Sequence, residues 1–363
     1  MEVGVAESAG RIPATPLTAL AEHPPVDRSG EDGYAARSGD TVGASAYSPV
    51  LLRIQDTAAP LNPASAALVA AGAALPRGAD AILAFEAVQA IGPTLEVIAP
   101  VAEGTGVERA GQQIRALAPL AGTVRPLRPH EAGLLASLGV DRVSVVAQPR
   151  VRVVVAGAKA VQGAHGAGDA HGPMLRALIE RDGGTIEVRG AGAGVRDAIR
   201  RALGEPGADL VIATGRTGTG PDDEAAPAVA EAGELALHGV ALRPGGSSGM
   251  GVAGGVPVIL LPGDPLACLC AYELFAGRFV RRLGGRDPEL PHATREAEVR
   301  RKIVSAVGLV EICQVRLVAG RVEPLGVAEF GGLPSAAGAD GFVVIPAVLE
   351  GYAPGARVTV HTY

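Results

Sequence analysis

Residues 208–223, Ala-Asp-Leu-Val-Ile-Ala-Thr-Gly-Arg-Thr-Gly-Thr-Gly-Pro-Asp-Asp, restrict the fold more than any other stretch of the chain. The apolar run at 210–213 suits a strand covered on both faces, as in a parallel sheet flanked by helices. The loop after it then lies at a strand's carboxyl end, the edge where open α/β sheets bind ligands. Gly215, Gly218 and Gly220 let backbone N–H groups approach an anion closely, and Thr214, Thr217 and Thr219 add hydroxyls. A purely structural reading competes: a tight strand-to-helix connection in which Asp222 or Asp223 caps a helix starting near Glu224. No Gly-Lys-Ser/Thr follows the glycines, so the loop is not of the Walker type.

A chain of 363 residues holds two to four domains. With aromatic residues at only 3% and no Trp, its cores must be packed from Val, Leu, Ile and Ala. The net charge of −6 argues against a general nucleic-acid surface, which needs a clustered basic face. Cys268, Cys270 and Cys313 have neither metal-ligand nor disulfide-framework spacing, and the first two fall in an apolar helical run as buried thiols. That usage suits a reducing cytosol. Glu2, Glu7 and Arg11 interrupt any signal-like apolar core, and no run of 18 apolar residues is present to span a bilayer. The expectation is a soluble, cytoplasmic protein with no membrane and no nucleic-acid partner.

The pattern divides the chain. Residues 1–40 and 128–148 read as an N-terminal linker and dimerisation region, the latter with a short helix between Arg128 and Gly139. Residues 41–127 alternate short apolar runs with Pro and Gly punctuation, a β-rich module. Residues 149–285 alternate strands and helices, which implies a central open α/β sheet with helices on both faces. Here the expected elements include one strand near 235–242 and a long helix from Pro265 that fades at Gly284-Gly285. Residues 287–363 return to short strands and glycine turns with no convincing helix, a small β-barrel-like domain. The Asp32-Gly33 pair reads locally as a surface turn with Tyr34 packed beneath it.

Two further loops resemble the first. The strand at 256–261 ends in Pro262-Gly263-Asp264-Pro265, and Arg243-Pro244-Gly245-Gly246-Ser247-Ser248-Gly249 is a third glycine-rich turn. Pro265 is an ordinary first-turn residue of a helix. If the strands are neighbours, however, Asp264 converges with Asp222 and Asp223 on a divalent cation, while backbone donors and Arg243 take a phosphate.

On these motifs the chain resembles, over nearly its whole length, the molybdopterin molybdenumtransferase family of bacterial MoeA and the E domain of gephyrin. The matching segments are Glu31-Asp32-Gly33-Tyr34-Ala35, residues 71–80, Gly239-Val240-Ala241-Leu242-Arg243-Pro244-Gly245 and Leu261-Pro262-Gly263-Asp264-Pro265. The resemblance implies a four-part fold, a homodimer, and a site between the central domain and the partner's N-terminal region. It implies insertion of molybdate into adenylated molybdopterin with release of AMP, aided by Mg2+ or another divalent cation, in the service of a molybdoenzyme client. On that reading Asp223, Asp222 and Asp32 are catalytic, Asp32 acting from the partner subunit, and Asp223 and Asp264 hold the metal. Thr214, Gly215, Thr217, Gly218, Gly220, Arg243, Pro244, Ser247, Pro262, Gly263, Asp264 and Pro265 bind the substrate.

The chain also departs from the family pattern. Leu117-Ala118-Pro119-Leu120 replaces a Gly-Glu-Asp segment, and Ala156-Gly157-Ala158-Lys159-Ala160 replaces Thr-Gly-Asp-Glu-Leu, so two acidic stations are gone. Glu86, Glu31 and Lys159 are candidate substitutes. Ala71, Asp264, Gly246 and His171 stand where the family has Thr, Asn, Lys and often Asn. The organising loop is closer to the Thr-Gly-Gly-Thr-Gly-x-x-Pro-x-Asp of molybdopterin adenylyltransferases, and both patterns place an aspartate at 223. Two alternatives therefore stay open: a non-catalytic protein that binds or delivers the cofactor, and an adenylyltransferase.

Overall fold

The structure is a computed structural model that describes residues 1–156, 169–190, 194–325 and 332–363. At its centre is a six-stranded sheet in the order Thr185–Gly190, Arg150–Val155, Leu210–Thr214, Val256–Leu261, Gly249–Ala253, Glu234–His238. The first four strands run parallel, and the last two pairings are antiparallel, so that only Gly249–Ala253 runs against the rest. Strand alternation explains why the inner strands read as continuous apolar runs. Val151, Val153, Val155, Leu210 and Ile212 face one side and pack on Leu175 and Ile179 of helix His171–Arg181 and on Leu266 and Cys270 of helix Pro265–Ala271. Val154, Val211, Ala213, Val258 and Leu260 face the other side, against Ile199 of helix Val195–Gly204 and Ala228 and Val229 of helix Ala225–Ala232. A slip of one residue would send each apolar set to the wrong layer, so the register is strongly pinned.

Arg152 lies on a strand of this sheet yet is only 5% exposed. Its Nη1 donates to the carbonyls of Ala202 and Glu205 at 2.8 Å, placing a cation on the C-terminal end of helix Val195–Gly204.

Two expectations for this region change. The strand foreseen near 235–242 is two: Glu234–His238 stays in the central sheet, whereas Leu242–Arg243 pairs in parallel with Val310 and Glu311 of the C-terminal domain. Gly239, at φ +89°, turns the chain between them. The long helix from Pro265 persists to Leu283 but contains a π turn at Tyr272–Ala276. There the Tyr272 hydroxyl donates to Asp182 at 3.1 Å, and Arg281 donates to the same carboxylate at 2.7 Å.

A second six-stranded sheet has the order Ala81–Leu83, Gly33–Ala36, Ser65–Val69, Val50–Gln55, Thr94–Val97, Val88–Ile91. Asp32-Gly33 is therefore no isolated surface turn. It leads into an interior strand, with Tyr34 opposite both Leu68 and Leu83, and that strand belongs with the β-rich module rather than with the first forty residues. The earlier segments pair elsewhere: Glu2–Gly4 with Arg142–Ser144, and Leu17–Thr18 with Pro119–Ala121. Val3, Leu127, Leu135 and Val143 give them a small core of their own.

In the C-terminal domain, Val310–Val318, Arg321–Pro324, Ala293–Val299, Arg357–Thr362 and Gly341–Ile345 form a five-stranded barrel, closed by pairing of the last strand with the first. One short helix, Gly332–Ala337, interrupts a region expected to have none. Among the described residues no helix is long and apolar enough to cross a membrane.

Candidate functional site

The strands Leu210–Thr214 and Val256–Leu261 are parallel neighbours, with Thr214 opposite Leu261. The two loops singled out in the sequence therefore leave the same sheet edge side by side. They touch closely. Gly215 has φ +84°, and a Cβ there would lie 2.1 Å from the carbonyl oxygen of Ala156. A Cβ on Gly263 would come within 3.1 Å of the Gly215 Cα. Any side chain at these positions would push the loops apart.

Buried hydroxyls lock the arrangement. Thr214 Oγ1 donates to the Pro262 carbonyl at 2.9 Å, and Thr217 Oγ1 donates to the Leu261 carbonyl at 3.1 Å. Thr217 Oγ1 also lies 3.5 Å from Ser247 Oγ, which brings the third loop to the same place. Pro244 follows Arg243 within that loop, and Ser248 closes its turn by donating to the Gly245 carbonyl at 2.6 Å. The motifs at 214–223, 243–249 and 261–265 thus form one surface.

That surface is rich in uncommitted donors. Among the described residues no hydrogen bond occupies the backbone N–H of Thr217, Gly218, Thr219, Ser247 or Gly263. N–H groups at the ends of parallel strands, free of other partners, make an anion-binding concavity. Beside them a cavity of about 380 Å3 is lined by Gly218, Thr219, Gly220, Asp223, Leu235 and His238, with Ala and Pro side chains of the next helix as its apolar wall.

The acidic residues take unequal places. Asp223 is not the cap of the following helix, whose N-cap is Glu224 with no side-chain bond. Its Oδ2 instead accepts from Gly220 N–H at 2.8 Å and holds the glycine loop, leaving Oδ1 without a partner among the described residues. Asp264 does cap a helix: Oδ1 accepts from Ala267 N–H at 2.8 Å, ahead of Pro265 in the first turn. Its Oδ2 is unpaired among the described residues. Asp222 does not join them, since its side chain is 86% exposed and lies 3.5 Å from Arg216 Nη1. Asp32 accepts from Ala71 N–H at 2.8 Å in the second sheet. Among the described residues no group of three or more His, Cys, Asp or Glu is arranged to hold a metal ion. Lys159 lies outside the described residues.

Arg243, foreseen as a cation for the phosphate, is engaged through one of its nitrogens within the protein. Its Nε pairs with Glu311, a fully buried carboxylate on the barrel strand Val310–Val318, so one charge answers the other across the domain junction. No local sequence signal pointed to that partner.

Two histidines went unassigned in the sequence. His238 ends its strand with Nε2 at 2.8 Å from the Thr217 carbonyl oxygen. His171 opens helix His171–Arg181, with its pKa pushed below the ordinary value chiefly by burial, while Asp169 and the Gly263 carbonyl act in the opposite direction. The three thiols are buried, and burial pushes Cys268 and Cys313 up to about 12, far from the thiolate needed by a metal or a nucleophile.

Comparison with known proteins accounts for the whole chain. Residues 1–139 match the MoeA N-terminal region (domain I and II), residues 152–282 a probable molybdopterin binding domain, and residues 296–363 the MoeA C-terminal region (domain IV). A solved molybdopterin biosynthesis MoeA protein from Pyrococcus horikosii superposes with a TM-score of 0.81 at 30% identity, covering 100% of this chain and 94% of that one. The chain belongs to the MoeA family. Relatives named molybdopterin molybdenumtransferase 2 in Mycobacterium tuberculosis and molybdopterin molybdenumtransferase in Staphylococcus aureus are 28% and 25% identical. Each alignment covers 99% of this chain, with 94% and 90% of the relative. As a MoeA-family protein, the chain belongs to molybdenum cofactor biosynthesis as a transferase-like enzyme.

Proposed function

We propose that this MoeA-family protein inserts molybdate into adenylated molybdopterin and releases AMP. The observation that supports the reading is the alignment of Thr214 with Leu261, which brings together two glycine loops with uncommitted amides suited to an anion. A phosphoanhydride laid on these amides meets oriented donors at no reorganisation cost, the usual basis of oxyanion stabilisation. The adjoining cavity, with an apolar wall and a polar rim, suits a planar heterocycle attached to that phosphate. The substrate brings its own dithiolene sulfurs, so the buried thiols of this chain are not required as ligands.

A resident metal would need a fuller donor set than the described residues provide. Mg2+ carried by substrate phosphates needs only one or two carboxylates, and Asp223 Oδ1 and Asp264 Oδ2 are each available. When bound there, it would supply charge neutralisation at the phosphoanhydride. Asp223 would orient the glycine loop with one oxygen while presenting the other to the phosphate edge, and Asp264, capping its helix with one oxygen, would present the other from the neighbouring strand end.

We further propose a homodimer in the cytosol in which Asp32 completes the site of the partner subunit, and a molybdoenzyme client that takes the product. A monomer at micromolar concentration by light scattering would remove the shared-site part of this proposal.

A carrier reading is favoured by one observation, the absence of a three-ligand acidic cluster among the described residues. Turnover of adenylated molybdopterin with and without molybdate separates the readings. Molybdate-dependent AMP release is expected of the transferase; binding with no AMP release would replace it by the carrier, and formation of the adenylated compound from ATP would replace it by an adenylyltransferase.

A further inference from the structure

Thr217 is held from three directions. Its hydroxyl donates to Leu261 at 3.1 Å and lies 3.5 Å from the Ser247 hydroxyl, while its carbonyl faces His238 Nε2 at 2.8 Å. A carbonyl oxygen only accepts, so Nε2 carries the proton and the imidazole is the donor. The Thr217–Gly218 peptide is trans, and in a trans peptide C=O and the following N–H point to opposite sides. Fixing the Thr217 carbonyl on His238 therefore fixes the Gly218 N–H on the far side, where among the described residues it has no partner.

We propose that His238 is a positioning residue that aims the Gly218 amide at an anionic phosphate oxygen of the substrate. The inference rests on reading residues 214–223 as the phosphate cradle, and it adds a residue outside all three glycine loops. Glycine at 218 has no side chain to restrain its own peptide plane, so an external clamp is needed to keep the donor preorganised. The strand Glu234–His238 supplies that clamp from the edge of the sheet, and the ring lines the same cavity as Gly218 and Asp223. His238 acts through the backbone and does not itself touch the reacting atoms.

The test compares His238→Gln with His238→Asn in the full-length protein. A Gln amide nitrogen reaches the position of Nε2, whereas an Asn nitrogen stops near that of Nδ1. Affinity for AMP and for adenylated molybdopterin is read by calorimetry, KM and kcat by AMP release, and folding by thermal unfolding. The expected result is binding about 10-fold weaker in His238→Asn, the scale of one impaired charged hydrogen bond, with His238→Gln close to wild type. The loss should fall on KM more than on kcat, because the amide meets the phosphate before and during the reaction. Equal affinity in Asn, Gln and wild-type proteins overturns the proposal, as does a loss in both variants that tracks a lowered melting temperature. Wild-type protein that binds neither probe removes the phosphate-cradle reading itself, and this inference with it.

Discussion

The buried hydroxyl of Thr214 donates to the carbonyl of Pro262 at 2.9 Å, tying the last residue of one parallel strand to the first residue beyond its neighbour. Thr214→Val keeps the shape and removes the donor, leaving the Pro262 carbonyl unsatisfied. The expected loss of stability is about 1–3 kcal/mol. Denaturant titration should show it as a lower midpoint at unchanged slope. Because the two loops are also released from one another, KM for adenylated molybdopterin should rise.

Arg243 and Glu311 give a second prediction with an internal control. Arg243→Ala strands a fully buried carboxylate and should destabilise the protein by about 3–5 kcal/mol. Arg243→Met combined with Glu311→Leu removes both charges and should recover most of that loss. If Arg243→Ala alone left the melting temperature unchanged, the pair would not bind the central domain to the barrel.

Asp223→Asn separates the loop-holding oxygen from the charge. The Asn carbonyl can still accept from Gly220 N–H, so unfolding should change little. Release of AMP at limiting magnesium should fall by about 1.5–3 kcal/mol of transition-state stabilisation, roughly 10- to 150-fold. Wild-type AMP release by this variant would exclude a role for the Asp223 charge in the chemistry.

Glu131 provides a pH signature in the N-terminal region. Arg125 binds its carboxylate through two nitrogens, at 2.5 and 2.8 Å, and the Arg128 N–H donates at 2.8 Å. Together these hold its pKa at about 2 instead of 4.5, with the Arg125 bond the larger cause. A carboxyl depressed in this way stabilises the fold fully above its unfolded pKa, and the contribution disappears as pH falls from 4.5 through 2. Wild type should therefore exceed Glu131→Gln in stability at pH 6, with the gap closing towards pH 2. A gap that stayed constant over that window would contradict the assignment.

Several of these relationships lay within reach of the sequence and others did not. The glycine loops announce themselves through Gly215, Gly218, Gly220 and Gly263, because a backbone that must bend sharply or pass close to another has few alternatives to glycine. The carboxylate at 223 is equally visible, but not what it does. Its place before a helical pattern left a cap open as the structural alternative to a metal-holding role; the structure gives it no cap, and its Oδ2 turns back to Gly220. His238 fell in the middle of an expected strand with nothing to mark it, and only the folding of residue 217 onto it gave it a role.

What the sequence determined by itself was the local chemistry: continuous apolar runs that need cover on both faces, strand ends that open into glycine loops, and helices that start at Pro129 and Pro265. These follow from interactions a few residues apart, which spacing alone records. Only the tertiary structure decided that Thr214 stands opposite Leu261, that Leu242–Arg243 leaves the central domain to join a barrel strand, and that Arg243 faces Glu311. The physical reason is that strand order and cross-domain pairing are settled by which apolar faces can be buried together, and a buried charge takes whichever partner that packing brings within reach.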